Sequence, residues 1–194
     1  HLEGFRSKKV PVLIMTDAID QFWLPMVGSF KEKKFTSITQ GQINLDELDA
    51  KNKDKKKDDK SEKEKQDKEY VDLVAQLKVV LGDQVKDIRL SSKLTDSPVC
   101  LVADEGDMDI AMEQLMAQRD TNYKGAPRIL EINGDHSLIK NMKSLLSKKE
   151  DNDLVSDAGT LLFEQARLME GKMPADPAQF SKIMNQFLLK AIPN

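Results

Sequence analysis

Side chains that could carry acid–base, thiol or metal chemistry are few and widely separated in this sequence. The strongest soft-metal ligands are His1, Cys100 and His136, which are too few and too scattered for a zinc site. The acidic residues 104–109 are similar to a calcium loop, but their glycine stands third instead of sixth. These acids fit the start of a helix, where they complement the helix dipole. We therefore predict no metal site.

Catalytic motifs are also missing from the pattern. Asp17 and Asp20 form a carboxylate pair three residues apart, but Asp17 suits a helix N-cap and Asp20 a solvent-exposed position. The sequence has no glycine-rich phosphate loop and no motif that frames a serine nucleophile. We expect no catalysis by this chain. A small hydrolase that uses Asp17, Asp20 and His136 is one alternative.

A methionine-rich stripe at residues 107–119 is the most distinctive pattern. Its large apolar side chains recur at a spacing that places them on one face of a short helix. Methionine is flexible and polarisable, so an exposed stripe of this kind can adapt to several partners. The pattern permits two interpretations: a face packed against a core, or an exposed helix that contacts other proteins. The stripe consists of Met108, Met112, Leu115 and Met116.

Three strands and a helix are predicted around this stripe. Residues 85–90 alternate apolar and polar side chains, residues 99–103 are an apolar run, and residues 128–132 (RILEI) indicate a third strand. Cys100, inside the second strand, is predicted to be a small buried hydrophobic residue instead of a reactive thiol. Residues 138–146 form a helix. Together these elements predict a compact α+β layer.

The first 45 residues predict a small α/β unit. Residues 10–15 are an apolar run typical of a buried strand, and residues 35–39 indicate a second strand. Between them an apolar-periodic helix covers residues 19–27, and Pro25 shortens or kinks it. A unit of this size is too small to fold alone, so we expect it to be the end of a larger domain.

Residues 49–69 are a block of mixed charge that contains nine lysines and eight acids. Such a segment buries too little apolar surface to offset its ordering entropy, and its mixed sign favours a solvated linker over a nucleic-acid arm. A capping box at residues 61–64 begins a helix that extends to about residue 81 and ends at Gly82.

The overall composition narrows the class of protein further. The net charge is −3, which gives no basic field for nucleic acid. No apolar run approaches the ~20 residues of a membrane span, and no signal peptide is visible. The single Cys100 excludes an internal disulfide and suits a reducing compartment. We expect a cytoplasmic protein without membrane contact.

Two amphipathic helices make up the last quarter of the sequence. The first, over residues 154–169, is apolar on two sides and therefore needs cover on two sides. Gly171 ends it, and Asp176 with Pro177 begins the second helix. We predict a helical bundle that a second copy of the chain completes. The simpler interpretation is that both helices cover the sheet of their own chain.

Five stretches of the sequence resemble the ninety-kilodalton heat-shock protein chaperones, and most closely the bacterial, high-temperature-protein-G type. They are HLEGFR (1–6), VLIMTDAID (12–20), VKDIRLSSKLTDSP (85–98), LEINGDH (130–136) and DPAQF (176–180). The members of this family are dimeric, ATP-driven clamps that remodel client proteins in the stress response. Glycine stands at position 134 where the family commonly has proline, and the acidic tail of eukaryotic cytosolic members is missing. A bacterial or organellar source is therefore favoured.

The resemblance implies a domain organisation and a set of partners. Residues 1–45 would be the end of the middle domain, 46–66 a charged linker, and 67–194 the C-terminal dimerisation domain. ATP and magnesium would bind upstream, so this chain would hold no cofactor. Its partners would be a second copy and partly folded client proteins. A dimeric scaffold without chaperone activity is a further alternative.

The resemblance also assigns residues to two surfaces. The client-binding residues would be Met108, Met112, Leu115 and Met116, with Phe22, Trp23 and Pro25 on the facing side of the same cleft. The dimer interface would contain Leu154, Ala158, Leu161, Leu162, Leu168, Phe180, Ile183, Met184, Phe187 and Leu188.

Overall fold

The computed structural model describes residues 1–45, 66–120, 123, 125–148 and 152–192. In chain order the elements are α1 (Glu3–Ser7), α2 (Asp20–Val27), β1 (Ser29–Phe30), β2 (Lys33–Lys34), α3 (Val71–Leu81), β3 (Val85–Leu90), β4 (Val99–Val102), α4 (Ile110–Arg119), β5 (Arg128–Ile132), α5 (Ser137–Ser147), α6 (Asn152–Met169) and α7 (Pro177–Ala191).

The centre of the fold is a three-stranded sheet of order β3–β5–β4. Strand β5 runs parallel to β3 and antiparallel to β4, and every residue of β5 is buried. The three strands lie where the sequence predicts them, because their apolar runs are short and bounded by turn residues. The predicted α+β class is confirmed.

Helices α3, α5 and α6 pack with this sheet around one hydrophobic core. Helix α3 contributes Leu73, Leu77 and Leu81, which recur every four residues and so share one face. Helix α6 approaches α3 closely at Gly159, where an added Cβ would collide with the side chain of Leu77. This close approach explains a glycine in the interior of a helix, where it otherwise costs stability.

Two helix ends follow the predicted capping signals, the end of α3 and the start of α7. Gly82 ends α3 with a positive φ of 49°, which favours glycine. The Asp176 carboxylate caps α7 by accepting hydrogen bonds from the backbone N–H groups of Ala178 and Gln179. The capping box predicted at residues 61–64 and most of the predicted linker lie outside the described residues. Residues 66–69 are helical and lead into α3.

The two strands predicted in the first 45 residues are wrong. Residues 10–15 form no strand, and Leu13 and Ile14 are largely exposed. Residues 35–39 are also irregular, and only Gln40 makes an isolated bridge, to Ala103. A strand needs a hydrogen-bonded neighbour, and no described strand pairs with either run. The pair that does form is the two-residue antiparallel hairpin β1–β2.

The role predicted for Asp17 and Asp20 also needs correction. Helix α2 begins at Asp20, and no side chain caps it. Asp20 is only 7% exposed, and its carboxylate accepts hydrogen bonds from the indole N–H of Trp23 at 2.8 Å and the backbone N–H of Asp17 at 3.1 Å. Asp20 therefore orients Trp23 instead of facing solvent. Pro25 lies inside α2, which ends two residues later.

Both ends of the first 45 residues dock onto the sheet region. The Glu3 carboxylate accepts hydrogen bonds from the backbone N–H groups of residues 95–97 and from the Ser97 hydroxyl. Partial burial raises the pKa of Glu3, but these hydrogen bonds outweigh it and hold the pKa at about 2. At the other end, the buried Lys93 ammonium donates to the Ile38 carbonyl at 2.9 Å. Arg89 donates to the Gly41 carbonyl at 2.8 Å.

Candidate protein-binding surfaces

Helix α4 carries three of the four stripe residues and leaves them partly exposed, whereas Met108 precedes the helix by two residues. Its buried residues are Ile110 and Glu113. Met108 is 39% exposed, and Met112, Leu115 and Met116 are half-buried. Asp109 caps the helix by accepting a hydrogen bond from the Ala111 N–H at 3.0 Å, in line with the prediction that acids start this helix. The stripe therefore presents partly exposed, flexible apolar surface.

A buried ion pair holds α4 in place. The Glu113 carboxylate, only 4% exposed, contacts the guanidinium of Arg128 at the start of β5. Arg128 also donates to the Met108 carbonyl at 2.9 Å, and the Lys172 ammonium lies 3.3 Å from Glu113. Hydrophobic periodicity does not predict this ion pair. Its only local sign is a charged residue, Arg128, at the start of a fully buried strand.

A second exposed apolar surface lies on α2. Phe22 and Trp23 are 42% and 36% exposed, and Pro25 is exposed beside them. The Trp23 and Phe35 rings are nearly perpendicular to each other, with centroids 6.4 Å apart. Met26, which the sequence assignment left out, is more exposed than either aromatic residue. The two groups assigned to client contact thus lie on separate elements, and both present apolar side chains to solvent.

The residues assigned to the dimer interface divide into three groups. Ala158, Leu162 and Ile183 are buried within their own chain. Leu154, Leu161, Phe180 and Phe187 are half-buried, and Leu168, Met184 and Leu188 are exposed. Helix α7 buries only Ile183, whereas Leu188 is 50% exposed and the neighbouring Leu189, not assigned from the sequence, is exposed further. Leu154, Phe187 and Leu189 line one groove between α6 and α7.

The side chains that could take part in catalysis or metal binding have local structural roles instead. The imidazole of His136 caps α5 by accepting a hydrogen bond from the Leu138 N–H at 3.1 Å. Burial, together with the nearby Glu131 carboxylate, raises the pKa of the Cys100 thiol to about 12, so the thiol stays protonated at neutral pH. Within the described residues, no cluster of His, Cys, Asp or Glu could hold a metal ion. The helices of the same residues are too short or too polar to cross a membrane.

Comparison with known proteins identifies the family. The family model described as Hsp90 protein matches residues 1–193, and the chain therefore belongs to the Hsp90 family. The chaperone protein HtpG of Roseobacter denitrificans is 43% identical over 194 residues, which cover 99% of this chain and 31% of that protein. The same-named protein of Streptomyces coelicolor is 38% identical over 184 residues, which cover 95% of this chain and 28% of that protein. The chain thus spans less than a third of these relatives.

Proposed function

We propose that this chain is the client-contact and dimerisation part of a longer Hsp90-type chaperone. One observation carries the proposal: α4 buries only Ile110 and Glu113 and leaves its methionine stripe partly exposed. A core helix would bury most of its large apolar side chains, because burying apolar surface is favourable. An adaptable apolar stripe suits partners without a common sequence, such as partly folded polypeptides.

Dimerisation would bring two such surfaces together. Helix α7 buries one residue and exposes Met184, Leu188 and Leu189, so most of its apolar face has no cover within the described part of the chain. A second copy can cover the same face through a symmetric contact. Pairing two weak client sites raises the effective concentration of the second site once the first is occupied.

The proposal includes a division of labour along the chain. Residues 1–45 would be the end of a middle domain, 46–66 a linker, and 67–194 the dimerisation domain. ATP and magnesium would bind to parts of the longer protein outside this chain, and the chain would work in the bacterial cytoplasm. The hydrolase alternative is not favoured, because Asp20 orients Trp23 and His136 caps a helix.

Client contact is tested by replacing two methionines of the stripe with a polar residue. We expect Met112→Ser with Met116→Ser to weaken binding of a permanently unfolded probe, such as reduced and carboxymethylated lactalbumin, measured by fluorescence anisotropy. Val79→Ser is the matched control, because Val79 is an exposed apolar residue on α3, outside both surfaces. Unchanged affinity in a folded double variant would refute the proposal. Loss of the helical circular-dichroism signal would assign the stripe to the core instead.

Dimerisation is tested by charge placement on α7. We expect the chain to scatter light as a dimer at micromolar concentration, and Leu188→Glu to shift it to a monomer, since an unpaired charge in an apolar interface is costly. Val79→Glu places the same charge on another exposed apolar position and should leave the dimer intact. A wild-type monomer under these conditions would contradict the bundle.

A further inference from the structure

Asp109 contacts two separate parts of the chain at once. One carboxylate oxygen caps α4 through the Ala111 N–H at 3.0 Å. The other accepts hydrogen bonds from the Ser37 hydroxyl at 2.5 Å and the Thr39 hydroxyl at 3.0 Å. The two hydroxyl oxygens are 2.9 Å from each other. The start of the methionine helix is thus bonded to a segment about 70 residues earlier in the sequence.

Backbone contacts hold the same segment beside the loop that leads into α4. The Ala103 N–H donates to the Thr39 carbonyl at 2.9 Å, and the Gly41 N–H donates to the Ala103 carbonyl at 2.8 Å. The Gln40 amide donates to the Asp107 carbonyl at 2.7 Å. These bonds fix residues 39–41 against the end of β4, so the two hydroxyls have a defined position relative to Asp109.

The other end of the segment reaches the aromatic surface of α2. The Phe35 ring packs edge-on against Trp23, and the Phe35 N–H donates to the Gly28 carbonyl at 3.0 Å. Only one residue separates Phe35 from Ser37 along the chain. A continuous path of contacts therefore leads from Trp23 through Phe35 and Ser37 to Asp109 and the first turn of α4.

We infer that Ser37, Thr39 and Asp109 form a positioning clamp that fixes the methionine stripe relative to the Trp23 surface. The inference rests on the proposed client-binding function. The clamp residues act through α4 and Trp23, so they are positioning residues. Two surfaces that are held in one arrangement lose less freedom when one polypeptide binds both, and their contributions then become coupled.

Capping alone does not account for the arrangement. The Asp176 carboxylate caps α7 with one oxygen, and among the described residues its hydrogen bonds go only to the first turn of its own helix. Serine is an equally good N-cap, but its single oxygen would not serve the helix and two further hydroxyls together. Asp109→Ser therefore keeps the cap and removes the bridge, and Asp176→Ser is the matched control.

The experiment is a double-mutant cycle with the unfolded lactalbumin probe. Trp23→Ala and Met112→Ala are combined in the wild-type chain, in Asp109→Ser, in Ser37→Ala with Thr39→Val, and in Asp176→Ser. In the wild-type and Asp176→Ser chains we expect the combined loss of affinity to differ from the product of the single losses by about threefold or more. In the two chains with a broken clamp, Asp109→Ser and Ser37→Ala with Thr39→Val, the combined loss of affinity should agree with the product of the single losses to within about twofold. Removing the hydroxyls supplies a second route should Asp109→Ser fail to fold.

The outcomes separate the clamp from the proposed function. Probe binding by the wild-type chain, with coupling that persists in both clamp-broken chains, would overturn the clamp and leave the proposed function standing. Absence of probe binding by the wild-type chain would overturn both. A structural readout accompanies the cycle: the clamp predicts faster amide hydrogen exchange in residues 37–41 and in the first turn of α4 together, in both clamp-broken chains but not in Asp176→Ser.

Discussion

Helices α4 and α6 belong to the same folded body and are both amphipathic, but they bury their apolar faces to different extents. Helix α6 buries an apolar face that includes Val155, Leu162 and Phe163, together with Glu164. Helix α4 buries only Ile110 and Glu113 and leaves its methionines partly exposed. Periodicity reveals that a helix has an apolar face, but the partner of each face decides which one turns inward. The orientation of α4 depends on Arg128, which pairs with Glu113. Arg128 lies outside the helix, so helical periodicity does not reveal it.

The two helices should therefore derive their stability from different sources. The apolar side chains of α6 lose contact with water, which stabilises in proportion to the buried area. The contribution of Glu113 is of another kind: its removal leaves Arg128 as a buried charge with its main partner missing. The methionines of α4, Met112 and Met116, are only half-buried, so each should contribute less to folding than a fully buried side chain.

The largest effect is expected at the anchor of α4. Glu113→Ala should lower the free energy of unfolding by about 3–5 kcal/mol, because Arg128 is left buried without its carboxylate. Urea denaturation followed by circular dichroism measures this. Gln118→Ala, on the exposed side of the same helix, should change stability by less than about 0.5 kcal/mol. Equal, small effects at both positions would mean that α4 is held by its apolar stripe.

A comparable effect with a different cause is expected in α6. Leu162→Ala should lower the free energy of unfolding by about 2–5 kcal/mol, since it leaves a cavity in the hydrophobic core to which Leu162 belongs. The same denaturation experiment applies, with Leu189→Ala as an exposed leucine control. A cost below about 1 kcal/mol for Leu162→Ala would show that α6 is not the packed helix of the pair.

A smaller effect is expected when acid protonates Glu3, which bonds the start of the chain to residues 95–97. The pKa of Glu3 is lowered from 4.5 to about 2, so its hydrogen bonds to residues 95–97 stabilise the chain above pH ~4.5 and are lost as the pH falls towards 2. We expect this to amount to about 2 kcal/mol, after allowing for solvent screening of a partly exposed group. Glu3→Gln should remove that part of the acid dependence between pH 5 and 2. An unaltered stability profile would contradict it.

The smallest effect is expected in the methionine stripe itself. Met112→Ala should reduce the free energy of unfolding by less than about 1 kcal/mol, because the side chain is only half-buried. Measured beside Glu113→Ala, it tests within one helix whether the charged residue contributes more to folding than its apolar neighbour. A loss of 2 kcal/mol or more would reverse the contrast between α4 and α6.

Local signals predicted most of the second half of the fold. Strands β3 and β5 match their predicted positions because the side-chain patterns that predict them are local. Helix α3 ends at Gly82 and α7 begins after Asp176, as predicted, because capping signals act within a few residues. The strand predictions at residues 10–15 and 35–39 failed because strand formation depends on a distant partner, which a local apolar run does not reveal.

The candidate site was only partly predictable for the same reason. The stripe on α4 was found from spacing, but spacing left open whether it faced a core, and the exposed interpretation came from family resemblance. Glu113 and Arg128 form an ion pair although they are 15 positions apart in the sequence. Asp109 and Ser37 are hydrogen-bonded although they are 72 positions apart. Side-chain pairing over such separations depends on the fold and leaves no periodic trace in the sequence.

The sheet topology has one more consequence. Strands β4 and β5 are antiparallel neighbours with Val102 opposite Ile129, so the chain leaves the sheet and returns to it at nearly the same place. The connection between the two strands, residues 103–127, is in topological terms one long hairpin connection that carries α4. We expect it to act as an exchangeable unit, whose apolar face can differ between relatives without a change in the register of β4 and β5. Any transplant would have to keep Asp109 for the clamp and Glu113 for Arg128. It would also have to keep Asp104 and Asp107, which both pair with Lys86 of β3.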